Sequence, residues 1–528
     1  MARGYLCFLL HAHLPYVRHP EHESFLEESW FFEAVTETYI PLINAFDRLL
    51  SDGIDFRITV SLSPPLVAMF QDEFLQSRYL AHMSRLCELA EKEVERTRND
   101  GRFHHLAQMY HDMFVRTVAV FRDRYGCDLV RAFRKFEEAG VVEVMTSAAT
   151  HGFLPLLQTE PSAVRAQVLT GVEHHRRAFG RPPRGLWLPE CGYYPGVEDV
   201  LREAGIRYFV VESHGVLNAS VRPHYGLMAP IVCRNGVAAF GRDPESSKQV
   251  WSSVEGYPGD ADYRDFYRDV GFDLDFEYVK PYILDGRIRI MTGIKYYRVT
   301  GRTEAKEPYQ PRWAAEKAAL HAGNFMFWRN KQIEHHAADM DRPPLLLAPY
   351  DAELFGHWWF EGPQWLELLI RKITFDQDIV KLMTPSDYLA RLPVLQQATP
   401  SASSWGYRGY NEFWLNGGND WVYPHLHRAA RLMKELVERT RGERPDALTE
   451  RALKQAARSL LLAQASDWAF IMKTGTSVQY AHRRMRDHLA RFHYLARAVR
   501  EGRIDEPRLR ALEVMDNIFP HVEPAAFA

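Results

Sequence analysis

Short apolar runs of strand length, separated by stretches of helical text, recur at residues 5–10, 56–62, 141–146, 185–188, 208–211, 288–292 and 345–348. Strands that alternate with helices pair in parallel, so this rhythm predicts an α/β fold built on a mostly parallel sheet or barrel. The residues that close each run are more telling than the run. His11 and His13, Ser61 and Ser63, His151, Glu190, Glu212 and Asp351 all stand at or just past the C-terminal end of a predicted strand. In α/β barrels that edge carries the active site, so these residues point to one shared cleft.

A chain of 528 residues exceeds what one hydrophobic core supports, and two or three domains are expected. Residues 66–135 are charged, helix-periodic and poor in Gly and Pro, and read as a helical insertion on the barrel. Residues 215–268 read as loops over the cleft, and the polar stretch after Leu395 reads as a linker. The boundaries are therefore 1–395 for the catalytic barrel and 396–528 for an all-α C-terminal domain. A formal charge of −3 gives no pull toward nucleic acid or an anionic membrane. No 18 apolar residues run together, and the first run stops at His11, too early for a signal peptide. Five scattered cysteines without a CxxC pair form neither a disulfide framework nor a zinc knuckle, which places the chain in a reducing, cytoplasmic compartment.

Glu190 follows Trp-Leu-Pro and precedes Cys-Gly-Tyr, a stiff and then permissive backbone that fixes a carboxylate at a strand tip. A retaining glycosidase or transglycosylase needs one ionised carboxylate and one protonated carboxyl, roughly 5–5.5 Å apart. Glu190 suits the first role, and Asp351 suits the second if its surroundings raise its pKa. For Glu190 or Asp351 alike, helix capping or loop ion pairing is the bland alternative, and Glu353 and Glu212 compete as acids. His11 and His13, two apart, share one face of a strand and can hydrogen-bond sugar hydroxyls or, with His151 and an Asp, hold a metal. Arg242-Asp243 with Lys248 and Trp251 reads equally as a surface charge run.

Five ordered segments resemble glycoside hydrolase family 57: His11-Ala-His-Leu-Pro-Tyr16, Val-Glu-Val-Met-Thr-Ser-Ala-Ala-Thr-His151-Gly, Trp187-Leu-Pro-Glu190-Cys-Gly-Tyr, Pro349-Tyr-Asp351-Ala-Glu-Leu-Phe-Gly-His and Ala465-Ser-Asp467-Trp-Ala-Phe. Within the family the match is with α-glucan branching enzymes that carry a C-terminal helical domain. The resemblance implies an incomplete (β/α)7 barrel and a retaining double displacement on α-1,4-glucan, with Glu190 as nucleophile, Asp351 as acid/base and no cofactor or metal. It places Arg242, Gly259, Trp405 and Asp467 on the glucan, with Trp30, Trp251 and Trp414 as flanking platforms and His11, His13 and His151 as hydrogen-bonding groups. Branching members also carry a Tyr on a long loop before the Arg-Asp segment. Here about fifty residues separate Glu190 from Arg242, and Tyr225 is the candidate. The rivals are an α-amylase or 4-α-glucanotransferase of the same family, a metal-dependent deacetylase using His11 and His13, and a silent glucan-binding protein.

Overall fold

The structure, a computed structural model, describes residues 2–251, 256–283, 286–440 and 445–528. Its strands are β1 (Gly4–Ala12), β2 (Ile58–Leu62), β3 (Val142–Ser147), β4 (Gly185–Trp187), β5 (Tyr208–Val211), β6 (Ile231–Val232), β7 (Ala238–Gly241), β8 (Leu345–Asp351) and β9 (Val380–Leu382). They form one sheet in the order β6-β7-β5-β4-β3-β2-β1-β8, with β9 also paired to β1. Only β6 runs antiparallel to its neighbour. The path β7-β5-β4-β3-β2-β1-β8 is thus a parallel array with helix in every crossover, the incomplete (β/α)7 barrel that the resemblance implied. Its two ends share no ladder. The Asp243 N–H, just past β7, reaches the Leu347 carbonyl of β8 at 2.8 Å and bridges the gap.

Strand alternation decides what enters the lumen. Leu6, Phe8 and Leu10 of β1 face outward among the helices, while Tyr5, Cys7 and Leu9 join Met145, Trp187, Val210, Phe240, Leu345 and Leu347 in a separate cluster inside the ring. Continuing the inward parity brings His11 to the end of β1, Ser61 to the end of β2 and Asp351 to the end of β8. The register agrees: His11 lies beside Ser61 on one side and Asp351 on the other. Residues that close three different strands therefore meet at one mouth.

Three elements depart from the sequence reading. Residues 288–292 form no strand; at the end of the run the N–H groups of Thr292 and the following Gly293 turn to the Asp269 carboxylate at 2.9 and 3.0 Å instead of a neighbouring strand. The stretch 215–268, read as loops, contributes β6, β7 and the helix Pro244–Trp251, and β7 completes the parallel path. The segment past Leu395 is no free linker: Gln396 and Ala398 hydrogen-bond the backbone of Val232, and the next α-helix among the described residues starts at Val422. Residues 66–135 do carry the helices Glu73–Arg96, His104–Val118 and, at their end, Val130–Glu138. The C-terminal part is helical from Val422–Thr440 through Glu506–Met515. Among the described residues no helix is long and apolar enough to cross a membrane, and all five cysteines are free.

Candidate active site

Glu190 owes its position to a sharp turn after β4. Glu190 and Cys191 both adopt left-handed backbone angles, φ 62° and 50°, a conformation that costs about 1–2 kcal/mol per L-residue. The turn is pinned by the Trp405 N–H, which donates to the Glu190 carbonyl at 2.9 Å. The carboxylate is pinned as well: Trp405 Nε1–H donates to Oε2 at 2.8 Å and Ser466 Oγ to Oε1 at 3.0 Å. Burial pushes the Glu190 carboxyl up to about 7, against the Trp405 bond, with the Asp467 charge adding to the rise and His13 opposing it.

Three imidazoles lie beneath and beside it. His11 stacks on Trp187 at 4.6 Å and meets His151 through their Nε2 atoms at 3.0 Å. His151, itself left-handed at φ 58°, stacks on His13 at 3.8 Å and reaches Ser466 Oγ at 2.9 Å. His13 Nε2 bonds the Asp467 carboxylate at 3.1 Å. Burial, then the charge of His13, holds His11 and His151 well below the usual imidazole range. Burial acts to lower His13 too, but Asp467, with Glu190 and Glu353 behind it, outweighs that and raises it.

Asp351 sits at the tip of β8, buried like Glu190 but with no side-chain donor among the described residues comparable to Trp405 and Ser466. Burial, then the charges of Glu353 and Glu190, push it well above the carboxylate range, and Arg242 opposes them. Glu353 is held by Tyr39 Oη at 2.5 Å and by the His13 backbone N–H at 3.1 Å. Tyr39 comes from the π-helical segment Val35–Tyr39, which delivers it out of ordinary helical register. Glu212 accepts from Arg242 at 3.1 Å, and the Arg242 guanidinium lies 5.7 Å from the Trp405 ring. Of the two carboxyls, Glu190 has donors suited to an anion and Asp351 has like charges suited to a retained proton.

The other expected residues divide. Arg242, Trp405, Asp467 and the three histidines join the cluster. Trp414 does not offer a platform: it is buried, stacked on Phe153 at 4.6 Å and close to Phe470 and Ala469 as an anchor between barrel and C-terminal helices. Trp30 meets Tyr480 edge-on at 5.8 Å, Trp251 is partly exposed at the end of its helix, and Gly259 lies in an exposed turn. No hydrogen bond or ring contact among the described residues ties these three to the carboxylates. Tyr225 bonds Asp341, which precedes β8, so it sits at the opposite, N-terminal edge of the sheet and shields nothing at the mouth. Asp243 is buried against Arg329 and Gln332, which takes it out of the surface-charge reading, while Lys248 and Trp251 of the same segment are exposed. The histidine nitrogens are committed to Ser61, Ser63, Ser466, Asp467 and each other, and among the described residues no group of three or more His, Cys, Asp or Glu is arranged to hold a metal. Sequence reasoning missed Ser466, although it stands beside Asp467 in the Ala-Ser-Asp-Trp segment, and it missed Tyr39 altogether.

An open parallel barrel whose mouth holds two carboxyls in contrasting environments, walled by Trp and His, is the equipment of an enzyme acting on glycosidic bonds. Sequence comparison agrees: residues 7–398 match the model of glycosyl hydrolase family 57, and the chain belongs to that family. Residues 425–527 match a second model, described as 1,4-alpha-glucan branching enzyme, C-terminal. A 1,4-alpha-glucan branching enzyme of Thermococcus kodakarensis is 35% identical over 98% of this chain and 77% of its own length. Among solved structures, the alpha-amylase AmyC of Thermotoga maritima is 45% identical with a TM-score of 0.93, covering 100% of this chain and 99% of its own. The family 57 branching enzyme of Pyrococcus horikoshii is 34% identical with a TM-score of 0.89, covering 99% and 97%.

Proposed function

We propose that this chain is a 1,4-α-glucan branching enzyme, cleaving α-1,4 links and rejoining the freed chain through α-1,6 bonds. The observation that carries the reading is that the segment matching the branching-enzyme C-terminal model reaches into the pocket, supplying Ser466 to Glu190 and Asp467 to His13. In this reading Glu190 attacks C1 of an internal glucose while Asp351 protonates the departing O4. Asp351 then deprotonates a C6 hydroxyl, which displaces Glu190 and takes the chain. The contrasting environments of the two carboxyls support the roles, since Glu190 ionises with two donors facing it and Asp351 keeps its proton between Glu353 and Glu190. Arg242, Trp405, Asp467 and the histidines belong to the same proposal as groups that hold glucan or its reacting carboxylate. So does the division near residue 395, supported by family models that end at 398 and resume at 425. The five free cysteines support a reducing, cytoplasmic location, in keeping with a role in glycogen-type synthesis.

The likeness to AmyC favours a second reading, in which water rather than a C6 hydroxyl receives the chain. Incubating the enzyme with amylose separates the two. New α-1,6 anomeric signals by proton NMR are expected; reducing ends accumulating without them would make the protein an amylase.

A further inference from the structure

Four hydrogen bonds run in series from β2 to Glu190. Ser61 Oγ meets His11 Nδ1 at 3.1 Å, His11 Nε2 meets His151 Nε2 at 3.0 Å, His151 Nδ1 meets Ser466 Oγ at 2.9 Å, and Ser466 Oγ meets Glu190 Oε1 at 3.0 Å. The four residues leading to Glu190 are buried, which keeps water from substituting for any link.

The far end fixes the direction of every proton. Oε2 of Glu190 faces the Trp405 indole N–H, a group that can only donate, so the exchangeable position is Oε1. When Glu190 is ionised, Ser466 donates to Oε1 and must itself accept from His151, which therefore carries its proton on Nδ1. A neutral ring protonated there has a bare Nε2, so His11 donates from its own Nε2, and its bare Nδ1 accepts from Ser61. When Glu190 is protonated, the proton lies on Oε1 and donates to Ser466. Ser466 turns to donate to His151 Nδ1, His151 donates from Nε2, and His11 donates from Nδ1 to Ser61. The two arrangements differ by the one proton on Glu190; each imidazole holds one proton in both.

We propose that Ser61, His11, His151 and Ser466 form a directional relay whose polarity follows the charge of Glu190, with both histidines exchanging tautomer while staying neutral and with Ser466 and Ser61 acting as positioning residues. The charged and titratable neighbours act on this relay through space: His13 stacked on His151, Asp467 beyond it, Asp351 and Glu353 from the end of β8, and Arg242 from the end of β7. The direct approach of His151 Nδ1 to Oε1, 3.6 Å, reinforces the same polarity. Its use in turnover rests on the reading of Glu190 as nucleophile: donors already aimed at Oε1 stabilise the carboxylate as it leaves the sugar.

Neutron diffraction from perdeuterated wild-type crystals, at about two pH units either side of the Glu190 titration, tests this without any variant. Above it, deuterium is expected on His11 Nε2 and His151 Nδ1; below it, on His11 Nδ1 and His151 Nε2. Deuterium on both nitrogens of either ring, or the same tautomers at both pH values, would overturn the relay. In kinetics, Ser466→Ala removes one donor from an anion and is expected to raise the acidic limb of kcat/KM by about one to two pH units, while Ser466→Thr keeps the limb in place. A lower rate with an unmoved limb in Ser466→Ala would reduce Ser466 to packing and defeat the proposal. Should Glu190→Gln turn over glucan like wild type, the nucleophile reading fails, and the deuterium positions still judge the relay independently.

Discussion

Trp405→Phe isolates one atom group in the site. It keeps an aromatic ring against Trp187 and removes the N–H that donates to Glu190 Oε2 at 2.8 Å. That bond favours the ionised carboxylate, so its loss raises the Glu190 pKa. A hydrogen bond to a charged group contributes about 1.5–3 kcal/mol, and about 1.4 kcal/mol corresponds to one pH unit, so the acidic limb should climb by about one to two units. The starting point is the value of about 7 set by burial. At neutral pH the ionised fraction would fall from about a half to between about a tenth and a hundredth, a loss of roughly five- to fifty-fold in kcat/KM that shrinks as pH rises. The assay is a full pH profile of kcat/KM on a soluble maltooligosaccharide for both proteins. A uniform rate loss with the limb unmoved, or a limb that moves down, would refute the assignment of Trp405 as the partner that tunes Glu190.

Glu353→Gln removes a like charge that raises Asp351, so the basic limb of the same profile is expected at lower pH; an unchanged basic limb would show that Glu353 does not act on the acid. Glu190→Gly should gain stability relative to wild type as pH rises, because it charges no buried carboxyl, while at every pH it leaves Trp405 Nε1–H and Ser466 Oγ without that acceptor. The carboxyl titrates at about 7 in the folded chain against an ordinary 4.5, so wild-type stability falls as pH rises through that window, and the variant escapes a loss of about 3 kcal/mol at pH 8 plus about 1 kcal/mol of left-handed strain. Urea denaturation at pH 5 and pH 8 checks this, and an equal gap at both would contradict it. Trp414→Ala empties a buried site between barrel and C-terminal helices and should cost about 3–5 kcal/mol in unfolding free energy. Unchanged stability with a raised KM would instead return Trp414 to the role of glucan platform.

The mouth of the barrel was legible because two rules act together there. Strand ends could be read from where apolar runs stop, and the period of two then places His11, Ser61 and Asp351 on the inward face without further information. The His-x-His at the end of β1 and just past it, beside the Ser-x-Ser at the end of β2 and just past it, is a pattern visible in the text, and it is realised as paired hydrogen bonds. The features that escaped depended on partners distant in sequence. Residues 288–292 have the look of a strand, but whether their N–H groups meet a neighbouring strand or the Asp269 carboxylate is decided by tertiary structure. β7, Ala-Ala-Phe-Gly, is too small and short to announce itself, and yet it closes the parallel path. Trp405 and Trp414 stand in similar surroundings of Gly and Asn and end in opposite settings, one bonded to Glu190 and one packed in a core. Ser466 has no signature of its own; its role comes from being one residue away from Asp467 at the start of a helix that meets the Glu190 turn.

Trapping a covalent adduct tests most directly whether Glu190 bonds to the sugar while Asp351 supplies and takes the proton. Asp351→Asn, given a maltooligosyl fluoride whose leaving group needs no acid, should accumulate a glycosyl ester, and peptide mass spectrometry should place it on Glu190. A glycosyl group found on Glu353 or Glu212, or steady turnover of the fluoride by Glu190→Gln with inverted stereochemistry, would contradict the account.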